Sequence, residues 1–240
     1  NLDSVPDLFN SAVNGLARCL PAFIVVVTMR VTVAAQGTAT ATIIKMLGNE
    51  FGISDEAGAR AATLIFISYT AASGLFCVVY TDVLQFFMLI IFVYILIPFS
   101  SIRYLGGFSS FWQNLDKSYL VPHINGSILG DIVTYLVFTL AGAEMWQRAF
   151  AAKSKKAATQ GMFWGTSIYM VTIALVFFMG LAGRQILPDV VASYGRSDAV
   201  VPALAVSILP PGLTGLALAG ILSVLMSTAA SYLLVSVQPF

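Results

Sequence analysis

The sequence is poor in charge, histidine and cysteine, and these shortages exclude several classes of protein. Only 10% of the 240 residues are charged, whereas soluble domains carry about a quarter. Hydrophobic residues make up 58% of the chain and the mean hydropathy is +0.89, so a soluble fold is excluded. Twelve basic residues balance eleven acidic ones, and the formal net charge of +1 leaves no basic surface for nucleic acid.

The chain also lacks the residue patterns of enzymes that use a metal or a nucleotide. His123 is the only histidine, and no CxxC, HExxH or GxxxxGK[ST] motif occurs. Cys19 and Cys77 both lie in apolar runs, which predicts buried free thiols rather than a disulfide. We therefore expect no catalytic site and no organic cofactor.

Long apolar runs dominate the sequence instead. A helix needs about 20 apolar residues to cross a bilayer, and six stretches meet or approach this length. Because an open strand would leave backbone groups unpaired in lipid, each stretch is predicted to be a helix. The prediction is one all-α, polytopic membrane domain over residues 1–240. The six segments are 16–47, 58–80, 82–102, 127–146, 161–183 and 211–238.

Basic residues predict the orientation of these segments. Arg148, Lys153, Lys155 and Lys156 lie in one short connection, so the positive-inside rule places residues 147–160 in the cytoplasm. With six crossings, both ends of the chain are then cytoplasmic. The chain does not begin with methionine and stops directly after an apolar run, so we expect an internal fragment of a longer protein.

The last apolar segment contains hydroxyl residues that apolar packing does not explain. Ser227 and Thr228 are adjacent, and Ser223 and Ser231 lie one turn to either side. The two adjacent hydroxyls and the carbonyl of Val224 would supply three hard oxygens, which a small alkali cation prefers. The alternative is that such hydroxyls bond to their own helix or pack against a neighbour. A cation site would need a second helix to complete it.

Two charged residues resist a purely apolar explanation: Arg30 within the first segment and Asp82 at the junction of two others. Arg30 lies twelve residues past Arg18, about 18 Å along the helix and near the middle of the membrane, with Glu144 as a candidate counter-ion. A charge at that depth marks a functional site, a structural ion pair, or a span that begins later than predicted. Asp82 follows Thr81 at the junction of two predicted helices, where it could simply cap the second helix.

Three motifs connect these residues to a known family. Residues 69–85 read Tyr-x3-Ser-Gly-x2-Cys-Val-x2-Thr-Asp-x2-Gln, and residues 147–154 read Gln-Arg-x2-Ala-Ala-Lys-Ser. Residues 211–228 run from Pro-Gly-Leu-x-Gly-Leu to Met-Ser-Thr. In content and order these motifs resemble those of the sodium:solute symporter family, over roughly residues 16–238. Ser73 replaces the first glycine of the family's Gly-Gly pair, and Ala230 stands where many members have aspartate.

The resemblance implies a LeuT-type inverted-repeat fold, of which this chain would supply the third to eighth core helices. It also implies symport of sodium and a small organic solute by alternating access. Sodium, the coupling ion, would bind the hydroxyls of Ser227 and Thr228 and the carbonyl of Val224. Asp82 would line the cytoplasmic exit path of the ion. The first core helix, which completes the family's sodium site, is expected in the missing helices of the parent chain.

The solute and the cellular setting are indicated more weakly. By position, the fourth predicted helix would line the solute cavity, and Arg30 hints at a solute with a carboxylate. The expected location is the plasma membrane of a bacterium or archaeon, with lipid and the solute as partners. The alternative function is a transporter-like input module of a sensory protein. The residues expected to line the cavity are Thr134, Tyr135, Phe138 and Thr139.

Overall fold

The computed structural model of the chain describes residues 19–48, 54–121, 126–142, 145–146, 149 and 151–237. Within these ranges the regular secondary structure is helical and contains no strand, which confirms the all-α prediction. Among the described residues, four helical spans are long and apolar enough to cross a membrane, judged by length and composition. They are Ala22–Met46, Tyr80–Tyr104, Lys155–Ile186 and Pro211–Ser236.

Nine α-helices are delimited within the described residues. In chain order they are α1 Cys19–Gly48, α2 Asp55–Met88, α3 Leu96–Tyr104, α4 Phe108–Gln113, α5 Gly126–Ala141, α6 Lys155–Ile186, α7 Val190–Tyr194, α8 Val200–Ile208 and α9 Pro211–Val237. A π-helical segment, Leu89–Ile95, joins α2 to α3 without a break. Short 3₁₀ turns cover Lys117–Leu120 and Ser197–Ala199.

The structure corrects the predicted junction between segments 58–80 and 82–102. The backbone is helical from Asp55 to Tyr104, and no glycine or proline occurs between residues 75 and 97 to interrupt it. Asp82 therefore lies inside α2 and does not cap a helix. The cap of α2 is Ser54, whose side-chain oxygen accepts a hydrogen bond from the backbone N–H of Ala57 at 3.3 Å.

Contacts divide the chain into two compact units. One comprises residues 1–29, 116–165 and 235–240, and the other comprises residues 30–115 and 166–234. The second unit has a hydrophobic core to which α1, the π-helical segment, α3, α6, α8 and α9 contribute. Its buried residues are Ile43, Val93, Ile97, Met179, Leu204, Ala205, Leu209, Ala217 and Leu218.

Large apolar side chains are exposed along α5 and α6. Leu129 is 70% exposed, and Phe163 and Trp164 are each 65% exposed. Apolar surface in water costs roughly 25 cal/mol per Å², so these faces belong against lipid or against other helices. Cys19 is a free thiol, as predicted, but it is exposed, which corrects the prediction of burial; the side chain of Cys77 lies outside what the structure describes. In a membrane helix, apolar neighbours in the sequence indicate contact with lipid as readily as burial inside the protein.

Candidate cation site

Helix α9 lies close to the end of α2 at Gly220. A Cβ atom at Gly220 would lie 3.3 Å from the carbonyl oxygen of Met88 and 3.3 Å from Cγ2 of Val93. A glycine is therefore what allows the two backbones to come this near without displacement. Ala217 and Leu218, within the preceding turn of α9, are 0% and 1% exposed. This packing fixes α9 beside the junction of α2 and the π-helical segment.

Two turns further along α9, Ser227 contacts Asp82. The Ser227 hydroxyl donates a part-buried hydrogen bond of 2.5 Å to Oδ1 of Asp82. Gly220 precedes Ser227 by about two turns, and Met88 follows Asp82 by nearly the same length of helix. The two helices therefore run antiparallel past each other between these two contacts. Two residues that the sequence analysis selected separately thus meet in the structure.

The other α9 residues of the predicted sodium site lie beside this pair. Val224 and Thr228 are half-buried, and the Thr228 side chain forms no hydrogen bond with another described residue. Ser223 is 9% exposed and donates its hydroxyl proton to the carbonyl of Gly220 at 2.7 Å. It shows the intrahelical bonding that is usual for serine in a membrane helix. Ser227 differs because its bond crosses to another helix.

This arrangement has the chemistry of a site for a small cation. The Ser227 hydroxyl donates a hydrogen bond to the carboxylate, so the lone pairs of its oxygen are left to coordinate an ion. A carboxylate, hydroxyl groups and a backbone carbonyl are hard oxygen ligands. The oxygens that α9 and Asp82 bring together are therefore of the kind that a small cation prefers.

Three of the remaining predicted site residues have side chains that the structure describes. Arg30 is exposed on α1 and forms no ion pair with a described residue. Thr134 and Tyr135 are exposed on α5, Tyr135 at 73%, and they belong to the other compact unit. The side chains of three further residues lie outside what the structure describes: Phe138, Thr139 and Glu144.

The sequence analysis missed two neighbouring cavities of about 410 and 400 Å³, both lined by Ser193 and Tyr194. Beside the smaller cavity, Arg196 forms an ion pair with Asp198 through two hydrogen bonds of 2.9 and 2.5 Å. These bonds lower the pKa of Asp198 and raise that of Arg196. Three segments that are distant in the sequence line this cavity, so no local sequence pattern predicts it. Its other lining residues are Thr38, Ala41, Thr42, Lys45 and Glu56.

The long apolar helices, with their exposed apolar faces, define an integral membrane protein. Comparison with known proteins gives the family. The model of the sodium:solute symporter family matches residues 4–240, and the chain belongs to this family. No solved structure matches the chain significantly.

Several curated relatives resemble this chain over only part of their own length. The chain is 28% identical over 205 residues to the sodium/pantothenate symporter of Haemophilus influenzae, covering 82% of this chain and 41% of that protein. It is 28% identical over 201 residues to sodium/glucose cotransporter 4 of Danio rerio, covering 68% and 31%. It is 28% identical over 205 residues to sodium/myo-inositol cotransporter 2 of Mus musculus, covering 68% and 30%. The chain thus spans less than half the length of these relatives.

Proposed function

We propose that this chain is part of a sodium-coupled secondary transporter that moves a small organic solute by alternating access. Family membership supports sodium-coupled transport, and the three relatives are named for sodium together with pantothenate, glucose or myo-inositol. The observation that connects this function to particular atoms is the hydrogen bond between Ser227 and Asp82. Further helices of a longer protein would complete the transporter.

In this proposal sodium binds the hydroxyls of Ser227 and Thr228 and the carbonyl of Val224. Bound sodium favours the outward-open state and raises the affinity for solute, and the solute raises the affinity for sodium by the same factor. Because Ser227 and Asp82 are in direct contact, an ion that leaves the hydroxyl oxygens reaches the carboxylate without crossing apolar surface. This contact supports a role for Asp82 on the exit path of the ion.

The test is uptake of radiolabelled pantothenate, glucose and myo-inositol by the full-length protein in proteoliposomes, with a sodium gradient against a choline control. The Ser227→Ala/Thr228→Ala double variant should lose sodium-dependent uptake, and Thr228→Ala alone should raise the sodium requirement. Ser223→Ala is the matched control, because that hydroxyl donates to a carbonyl of its own helix. Unchanged sodium dependence in the double variant would remove the ion site. Sodium-independent binding without uptake would favour a sensory input module.

For the solute, the proposal is a cavity lined by residues of α5, with Arg30 attracting a carboxylate. An arginine within a membrane helix is costly unless it meets an anion or water, and Arg30 forms no ion pair with a described residue. Competition for uptake distinguishes the solute classes. Displacement of the transported ligand by carboxylates supports the role of Arg30, whereas displacement by sugars and not by carboxylates contradicts it. The α5 residues in this proposal are Thr134, Tyr135, Phe138 and Thr139.

A further inference from the structure

The smaller of the two cavities, of about 400 Å³, brings together two basic side chains that are far apart in the sequence. Lys45 lies in the last turn of α1, and Arg196 follows the end of α7. Thr38, Thr42 and Lys45 lie on one face of α1, since residues three or four apart are neighbours on a helix surface. Tyr194 adds a phenolic hydroxyl to the lining. Ammonium, guanidinium and phenol are hydrogen-bond donors, so the cavity suits an anion.

Two carboxylates lie near these basic groups, and each of them has a basic partner. Glu56 lines the cavity and accepts a hydrogen bond of 2.5 Å from Arg60, which does not line it. Asp198 accepts two hydrogen bonds from Arg196, which use two of the five N–H groups that a guanidinium carries. The pair holds the guanidinium in place, and its other N–H groups are donors for a ligand. With Lys45, the three cations outnumber the two carboxylates.

The larger cavity, of about 410 Å³, is adjacent to the basic one, because Ser193 and Tyr194 line both. Its lining is mainly apolar, with Asp189 as an acidic exception. Met46 and Ile186 line it, and each is the last residue of a span long enough to cross a membrane. The two cavities therefore lie where the apolar part of the membrane ends and the lipid headgroups begin.

The side of the membrane makes the two basic residues unexpected. Helix α6 begins at Lys155, in the connection predicted to be cytoplasmic, and ends at Ile186 beside the cavities. In the predicted orientation the cavities thus lie toward the outer face, and the positive-inside rule does not account for Lys45 and Arg196. A lipid phosphate is an anion at this depth, and basic side chains near a membrane surface attract anionic headgroups.

We propose that the two cavities bind one anionic phospholipid, with its phosphate between Lys45 and Arg196 and the first part of an acyl chain in the apolar cavity. This site goes beyond the proposed sodium transport and uses none of the proposed ion ligands. A charged head joined to an apolar chain matches a basic cavity that adjoins an apolar one. A soluble phosphate ester carries the same anionic group but would leave the apolar cavity unfilled.

The test is thermal unfolding of the full-length protein in detergent micelles, with phosphatidylglycerol titrated against phosphatidylcholine. Phosphatidylglycerol should raise the unfolding temperature of the wild type saturably. Lys45→Met and Arg196→Gln should each raise the mole fraction of phosphatidylglycerol for half-maximal stabilisation about fivefold, as for the loss of one basic group near a membrane surface. Lys45→Arg keeps the charge and should respond like the wild type. An unchanged response in both Lys45→Met and Arg196→Gln would overturn the inference.

Arg103 offers a matched control within the same compact unit. It is exposed in the last turn of α3, at the end of another candidate membrane span, and does not line the cavity. Arg103→Gln should therefore leave the response to phosphatidylglycerol unchanged. If Arg103→Gln weakens the response as much as Lys45→Met does, the attraction is a diffuse one between charged surfaces, and the proposed site is wrong.

Two further arms separate the head of the ligand from its chain. Glycerophosphoglycerol, the same headgroup without acyl chains, should not stabilise the wild type. Stabilisation by this compound that Lys45→Met abolishes would assign the site to a soluble phosphate ester and overturn the lipid. Val206→Trp fills part of the apolar cavity and should weaken the response to phosphatidylglycerol while both basic groups remain. An unchanged response in Val206→Trp would contradict the placement of the acyl chain.

Discussion

One added methyl group at Gly220 should loosen the proposed ion site without altering any of its ligands. The new Cβ would lie 3.3 Å from the carbonyl oxygen of Met88 and 3.3 Å from Cγ2 of Val93, which is tighter than ordinary contact. The Met88 oxygen belongs to a helix backbone and cannot rotate away, so α9 has to move by a few tenths of an ångström. Because Ser227 lies two turns further along α9, this movement lengthens its 2.5 Å contact with Asp82.

The size of the effect follows from two opposing contributions. Overpacking of a close contact costs about 1–3 kcal/mol, whereas alanine in place of glycine stabilises a helix by up to about 1 kcal/mol. Gly215 on the same helix has no atom within 4 Å of an added Cβ, so Gly215→Ala gives the helical contribution alone. Gly220→Ala should therefore be less stable than Gly215→Ala by about 1–3 kcal/mol.

The assay measures thermal unfolding and sodium activation of uptake for both alanine variants of the full-length protein. Gly220→Ala should unfold at a lower temperature than Gly215→Ala and need more sodium for half-maximal uptake. If the two variants agree in both measurements, the close approach at Gly220 does not position Ser227 against Asp82. That result would refute the reasoning.

Three further predictions concern parts of the structure away from the ion site. A Cβ at Gly183 would collide with Cγ1 of Val200, so Gly183→Ala should cost about 1–3 kcal/mol of stability. Sodium activation of uptake should stay unchanged. A shift in sodium activation would contradict the separation of this contact from the proposed ion site. Phe111 is 2% exposed, and the centre of its ring lies 4.9 Å from that of Phe178. Phe111→Ala should therefore lower the free energy of unfolding by about 3–5 kcal/mol. Unaltered thermal unfolding would show that this contact does not hold α4 in place. Asp198→Asn removes a partly exposed ion pair worth about 0.2–1 kcal/mol. Because the pKa of Asp198 is lowered, the stability difference between wild type and Asp198→Asn should be present above pH 3.8, the ordinary pKa of aspartate. The difference should disappear as the pH falls through the lowered pKa. A stability difference that persists in acid would contradict the role of this ion pair.

The sequence could predict the helical class and single out two residues of the proposed ion site. Apolar runs without breaks predict membrane helices, and the Thr-Asp and Met-Ser-Thr motifs identified Asp82 and Ser227. That these two side chains touch could not be read from the sequence, because they are 145 residues apart. Their contact depends on the register that Gly220 sets against Met88. A single glycine within an apolar run does not by itself predict such a close helix contact.

Other features depended on tertiary packing. Asp82 after Thr81 was expected at a helix junction, but a carboxylate inside a continuous helix is tolerated where another helix supplies a donor, as Ser227 does. Gln85 formed part of a motif, yet only the packing revealed that its oxygen is buried and lacks a donor among the described residues. The cavity lined by Lys45 and Arg196 is formed by segments that are distant in the sequence, so the hydrophobic periodicity of a single segment cannot predict it.

The most direct test of the central proposal, that the coupling cation binds on α9 beside Asp82 of α2, is binding of radioactive sodium to the purified full-length protein. The wild type and the Ser223→Ala control should bind sodium saturably. Ser227→Ala should weaken that binding strongly, because it removes an oxygen ligand. Asp82→Asn should also weaken it, because it removes the negative charge that lies against Ser227. Undiminished sodium binding in both of these variants would contradict the claim.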